Sequence, residues 1–245
     1  MNDLNGKVGI VTGSSSGIGK AIAEKLSHMG ASIVVNSSKS EKLGNEVSES
    51  ISNSKYFKAD ISDRVDCEKL VQFTIETFGG LDILVNNAGI TRLIAHNDIK
   101  KADVDVWKEI FDVNVFGTWQ MCSSAIKYLE QSSNGVIINI SSIASIRPTG
   151  SSIPYATSKA AVNHMTRLLA KTLGPKVRVN AVAPGLIDTP WTQDWDIVRQ
   201  IVSEQAPLKR SGKPEDVASI VAGLIAADYV TGEVVLADGG LSLNS

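Results

Sequence analysis

Residues 7–30 read KVGIVTGSSSGIGKAIAEKLSHMG, and this stretch decides the fold. Its opening, through Val11, is a short β-branched run; its close spaces Ile18, Ile22 and Leu26 four apart, the period of an amphipathic helix, and ends on Gly30. Between the two lie Gly13, Gly17 and Gly19. Gly13 permits a tight turn, while Gly17 and Gly19 let backbone approach a phosphate and the helix approach the sheet. The N–H groups of the first helical turn then face the anion. This predicts a nucleotide site contacted by Gly13, Ser15, Ser16, Gly17, Ile18 and Gly19. A phosphate-loop NTPase would need Gly at position 14 and Ser or Thr at 21; the chain has Ser14 and Ala21, which excludes it.

Outward from this unit the same alternation continues. ASIVVN is a second predicted strand, SEKLGNEVSESI a polar-faced helix and KYFKAD a third strand. DRVDCEKLVQFTIETFGG is a helix opened by Asp63 as its cap and stopped by glycines. LDILVNNAG follows as strand four, and a long helical region covers about 103–131, with Asn114 as the point where it could break. GVIINISS, the helix PYATSKAAVNHMTRLLAKTL, KVRVNAVAPG, a helix from about Pro214 and GEVVLADGG complete the series. Strands apolar on both faces and alternating with helices specify a doubly wound α/β fold: a seven-stranded parallel sheet of Rossmann type with helices on both faces. Residues 1–245 are expected to form one domain. The irregular stretches, about 143–154 and 186–212, follow strands five and six, at the edge where such sheets bind ligands.

The 245 residues are 43% hydrophobic and 20% charged, with a net charge of −2. That balance gives no electrostatic reason to expect nucleic acid or an anionic membrane as a partner. No run approaches the roughly 18 apolar residues of a membrane span, and MNDLNGKVGIVTG lacks the pattern of a secretory signal. The expected location is cytoplasmic, with Cys67 and Cys122 as reduced core thiols. The sequons at Asn36 and Asn139 are then chance, and the scattered His28, His96 and His164 have no metal-ligand spacing.

TGSSSGIG (12–19), NNAG (86–89), Asn114 in FDVNVFG, Ser142 in INISS, YATSK (155–159) and Pro184-Gly185 occur in the order and spacing of the short-chain dehydrogenase/reductase family, which the chain resembles over nearly its whole length. RSGKPEDVA and TGEVVLADGG resemble its short, single-domain branch, to which 3-oxoacyl-carrier-protein reductases belong. The chain looks short near AADYVTGE, where relatives often carry a few more residues.

The resemblance implies hydride transfer between a nicotinamide cofactor and a ketone or secondary alcohol. Tyr155 would be the general acid/base, and Lys159, one helical turn along, would lower its pKa and hold the nicotinamide ribose. Ser142 would hydrogen-bond the substrate oxygen, and Asn114 would break its helix to hold a water for the proton relay. By themselves, Tyr155 and Lys159 would read as a surface pair. The resemblance also implies cofactor contacts at Asn87, Ala88 and Gly89, at Pro184, Gly185, Ile187 and Thr189, and at Asp60 and Ile61. Asp60 could instead be a helix cap.

At the end of strand two, Ser37 stands where NAD-selective relatives tend to carry Asp, so nothing repels a 2′-phosphate. Ser38 and Lys39 could hold it. NADP is therefore the expected cofactor, with NAD also usable, and no metal is called for. Trp191 and Trp195 suit either an apolar or cyclic small-molecule ketone or a subunit contact. A non-catalytic cofactor sensor of the same fold would be expected to have lost Tyr155 or Lys159. Apolar or small residues on the outer helix faces (Phe116, Trp119, Ala161, Met165) and an apolar C-terminal run predict a homotetramer, with a dimer second.

Overall fold

The computed structural model describes residues 3–244; Met1 and Asn2 of the N-terminal segment and Ser245 of the apolar C-terminal run lie outside them. Seven strands form one parallel sheet: β1 (Val8–Val11), β2 (Ser32–Ser37), β3 (Ser54–Lys58), β4 (Ile83–Asn86), β5 (Gly135–Ile140), β6 (Val177–Pro184) and β7 (Val234–Ala237). Their spatial order is β3-β2-β1-β4-β5-β6-β7. All six pairings are parallel. The order reverses direction between β1 and β4, which makes a crevice at the carboxyl ends of the strands.

The helices are α1 (Gly17–His28), α2 (Glu41–Ser50), α3 (Arg64–Phe78), α4 (Val104–Phe111), α5 (Thr118–Leu129), α6 (Ile153–Leu173), α7 (Asp196–Gln205) and α8 (Pro214–Ala226). Successive strand residues point to opposite faces. In β1, Val11 accordingly packs with Ile22 and Leu26 of α1 and Val221 and Ile225 of α8, while Ile10 packs with Leu70 of α3 and Met121 and Leu129 of α5. A strand covered on both sides has no polar face to show, and this is why β1, the ILV of β4 and the VII of β5 read as apolar runs.

The opening and closing signals of α3 act as expected. The Asp63 carboxylate accepts from the N–H groups of Val65 and Asp66, and Gly79 ends the helix at φ 83°. Asp60 is therefore not a cap; its Oδ1 accepts from the N–H and hydroxyl of Ser62.

Two expectations need correction. Asn114 does not break the 103–131 region; residues Asp112–Gly117 form a π-helical turn joining α4 to α5, with the Thr118 hydroxyl donating to the Asn114 carbonyl. A π turn widens a helix without stopping it, which a breaker residue cannot signal. The 186–212 stretch is not irregular throughout: it contains a 3₁₀ turn (Pro190–Thr192) and α7. Helix α7 buries only Val202, leaves Ile197, Val198 and Ile201 exposed, and has no side-chain cap, so neither a core stripe nor a cap marks it.

Candidate active site

A cleft of about 660 Å³ opens along the carboxyl edge of the sheet. The cofactor residues expected from the sequence, from the glycine turn through Ser37–Lys39, Asp60, Ile61 and Asn87–Gly89 to Pro184, Gly185, Ile187 and Thr189, all line it, as do Ser142, Tyr155 and Lys159. Asn114 does not; it is buried behind the wall.

At one end the chain leaves β1 through Gly13, at φ +61°, where an added Cβ would stand 2.8 Å from the Ala88 Cα. Only glycine tolerates both the dihedral and the contact. The turn is held from two sides. Ser14 donates its hydroxyl to the Val11 carbonyl and accepts from the N–H of Asn36. The Asn87 amide donates to the carbonyls of Thr12 and Gly13. The Thr12 hydroxyl accepts from the N–H groups of Asn87 and Ala88. Thr12 and Ser14 were not among the expected site residues. Both are buried and shape the turn from beneath, and a small polar residue inside a glycine-rich motif gives no separate signal of that.

The turn fits the phosphates of a dinucleotide. Ser16 is the N-cap of α1 but its side chain makes no capping bond, and no acidic residue sits in the first turn. The first N–H groups of α1 therefore receive no capping bond from Ser16, and the turn itself carries no carboxylate to repel an anion. Ser37, at the end of β2, shares a 3.0 Å hydrogen bond with the Tyr56 hydroxyl, and exposed Ser38 and Lys39 continue the rim.

At the other end, Ser152 caps α6 by accepting from the N–H of Tyr155, with Pro154 in the first turn. This sets Tyr155 and Lys159 one turn apart on one helix face. Lys159 is buried, its Nζ donates to the Ile140 carbonyl at 2.9 Å, and it lies 5.9 Å from the Tyr155 ring centroid. Asn114 accepts from the N–H of Ile90 and donates to the Ile90 carbonyl and the Ser158 hydroxyl. A Cβ on Gly89 would lie 3.2 Å from the Asn114 Oδ1 and 3.4 Å from the Lys159 Nζ, so the bare glycine leaves uncrowded space beside both groups.

The electrostatics differ from the expectation that Lys159 would pull Tyr155 down. Burial pushes the Tyr155 phenol above its ordinary value, and a hydrogen bond with the Ser142 side chain offsets part of that rise. Burial also lowers Lys159 to about 8. Both groups are shifted toward their neutral forms because the wall around them is poor in water.

Trp191 meets the Tyr155 ring edge to face, with centroids 6.4 Å apart, and Trp191 and Trp195 both line the cleft. Cys67 and Cys122 are free and buried, each thiol pushed up to about 12 chiefly by burial. Asn36 and Asn139 are buried strand residues, which closes the sequons to glycosylation. No group of three or more His, Cys, Asp or Glu suited to a metal occurs among the described residues, and no described helix is long and apolar enough to cross a membrane.

Residues 13–242 match a family model described as enoyl-(acyl carrier protein) reductase. Among curated proteins, the chain is 51% identical over 239 residues to one from Streptomyces violaceoruber named "Granaticin polyketide synthase putative ketoacyl reductase 2", covering 96% of each chain. It is 37% identical to the 3-oxoacyl-[acyl-carrier-protein] reductase FabG of Thermotoga maritima, with 97% of this chain and 98% of that protein aligned. Among solved structures, a short-chain dehydrogenase/reductase of the glucose/ribitol dehydrogenase type from Brucella melitensis superposes with a TM-score of 0.90 at 33% identity, over 97% of both chains. The chain belongs to the short-chain dehydrogenase/reductase family. It is an NAD(P)-dependent oxidoreductase acting on CH–OH or keto groups.

Proposed function

We propose that this enzyme reduces ketones with NADPH and that Tyr155 is its general acid. The observation that carries this reading is geometric: Tyr155 and Ser142 meet in the cleft wall, with Lys159 one helical turn along α6, and the phenol, neutral near pH 7 at its ordinary value, is shifted further up by burial. A phenol in that state is poised to give a proton to an alkoxide, the direction that reduction requires.

Bound in the cleft, the cofactor supplies the hydride that the carbonyl carbon receives. The protein's part is to hold, orient and protonate. The glycine turn and the first turn of α1 hold the pyrophosphate. Ser38 and Lys39 hold the 2′-phosphate, with no carboxylate at Ser37 to repel it. Asp60 and Ile61 flank the adenine, and Asn87, Ala88 and Gly89 border the adenosine ribose. Pro184, Gly185, Ile187 and Thr189 border the nicotinamide end. Lys159, as the ammonium, donates to the nicotinamide ribose hydroxyls. Ser142 donates to the ketone oxygen and stabilises the charge that gathers there. Tyr155 delivers its proton to that oxygen, and solvent returns one to Tyr155 through a water that Asn114 holds for the relay to Lys159.

Trp191 and Trp195 give the substrate end an aromatic wall suited to an apolar or cyclic ketone. The relatives named for ketoacyl reduction make a β-ketoacyl thioester the second substrate class. Phe116, Trp119 and Leu168 are each about half exposed, while Ala161 and Met165 are half-buried. An apolar face of this kind is covered in a closed homotetramer of cytoplasmic protein. Following NADPH oxidation by purified protein against ketones, β-ketoacyl thioesters and sugars tests the reading. Turnover of a neutral ketone supports it, and activity confined to NADH with sugars overturns it.

A further inference from the structure

The segment between β6 and α8 carries the substrate wall, and its fastening is specific. At its base, the Gly212 N–H donates to the Leu186 carbonyl and the Asp188 N–H to the Gly212 carbonyl, so the two ends pair like short strands. Beyond that base, Arg199 of α7 spreads its guanidinium over three points of the chain. Its Nε donates to Asp188 Oδ1 at 2.9 Å, its Nη1 to Asp196 Oδ1 at 2.7 Å and its Nη2 to the Thr192 carbonyl at 3.0 Å. Asp188 is shared: its second oxygen accepts from the Ser211 hydroxyl at 2.6 Å. One carboxylate thus ties the fixed base of the segment to the helix at its tip.

The neighbours of this fastening face the cleft. Ile187 and Thr189 flank Asp188, Val198 adjoins Arg199, and Trp191 and Trp195 lie between; all five line the cleft, whereas Asp188 and Arg199 do not. Little else holds α7, which buries only Val202. We infer that the Asp188–Arg199 pair is a positioning latch: it holds the tryptophan wall against Tyr155 and thereby sets which ketones the site accepts. Lysine could not reproduce it, because its donors all radiate from one nitrogen, whereas the three acceptors here are met by three nitrogens of a planar guanidinium. The Asp188 carboxyl is ionised across the neutral range, and the Ser211 hydroxyl, then Arg199, hold it further below its ordinary value.

The inference rests on the proposed ketone reductase for its substrate readout but not for its structural one, and the test uses both. Arg199→Met and Arg199→Lys are compared with wild type by hydrogen exchange of residues 189–205 and by kinetics with a bulky bicyclic ketone and a small acyclic one. Faster exchange confined to this segment is expected in Arg199→Met. It should come with a rise of about tenfold or more in KM for the bicyclic ketone, kcat within about threefold and a cofactor Kd within about twofold, with Arg199→Lys intermediate. A merely structural contact would lower Tm without splitting KM from kcat or changing the preference between the two ketones. Unchanged exchange in Arg199→Met overturns the latch whether or not a substrate is in hand. Altered exchange with an unchanged ketone preference overturns its role in specificity. Failure of wild type to reduce any ketone overturns the ketone reductase reading and with it that role, leaving the fastening to be judged by exchange.

Discussion

The Nζ of Lys159 donates to the carbonyl oxygen of Ile140 at 2.9 Å, inside a wall that leaves the ammonium almost no water. Burial lowers its pKa to about 8, and that value makes a signed prediction. The folded protein binds fewer protons than the unfolded chain between about 8 and the ordinary lysine value, so this group's contribution to stability rises with pH across that window. The Tm of wild type relative to Lys159→Met should therefore improve as pH increases from 7.5 to 9.5. Cofactor affinity should run the other way, because only the ammonium donates fully to ribose hydroxyls. The NADPH Kd, followed by nicotinamide fluorescence, should weaken as pH rises past about 8 in wild type and stay flat in the variant.

Tyr155→Phe keeps the ring that packs against Trp191 and removes the acidic proton. Turnover should fall by roughly 10²–10⁴ while NADPH still binds within a few-fold of wild type, as steady-state kinetics and fluorescence titration would show. Retention of most of the activity with the best ketone would remove Tyr155 from its assigned role.

Ser37→Asp puts a carboxylate at the end of β2, where the Ser37 hydroxyl now meets Tyr56. Affinity for NADPH should drop by about tenfold or more, a loss of about 1.4 kcal/mol, with NADH gaining relative to it. Wild-type protein that binds the two cofactors equally would take away the basis for the NADPH preference.

Gly13→Ala forces a side chain into a φ of +61° with 2.8 Å between its Cβ and the Ala88 Cα. The left-handed dihedral alone costs about 1–2 kcal/mol, and the contact adds to it. A lower Tm, together with cofactor affinity weakened more than in an Ala substitution at exposed Lys39, is the expected pair of results from thermal melts and titration.

Much of this was legible in the sequence because the fold repeats one pattern. Apolar strand runs such as VGIV and the ILV of β4, separated by helices, allow little besides a covered parallel sheet, and the Asp63 cap and Gly79 stop lie where their chemistry places them. The residues expected at the cofactor converge on one cleft because each sits at the carboxyl end of a strand, which topology brings together. What escaped depends on geometry that spacing does not encode. The π turn at Asp112–Gly117 widens a helix with ordinary residues. Helix α7 buries a single side chain. The direction of the Tyr155 shift depends on how dry its surroundings are and on a lysine whose Nζ is turned toward Ile140, and a four-residue spacing states neither.

The most direct test of the central claim is the fate of a labelled hydride. NADPH carrying deuterium at both C4 positions of the dihydronicotinamide is incubated with the enzyme and a neutral bicyclic ketone, and the alcohol is weighed by mass spectrometry. The account predicts one deuterium on the carbinol carbon in wild type, with formation of that product slowed by roughly 10²–10⁴ in Tyr155→Phe. Unlabelled alcohol, or labelled alcohol formed equally fast by the Tyr155 variant, would contradict it.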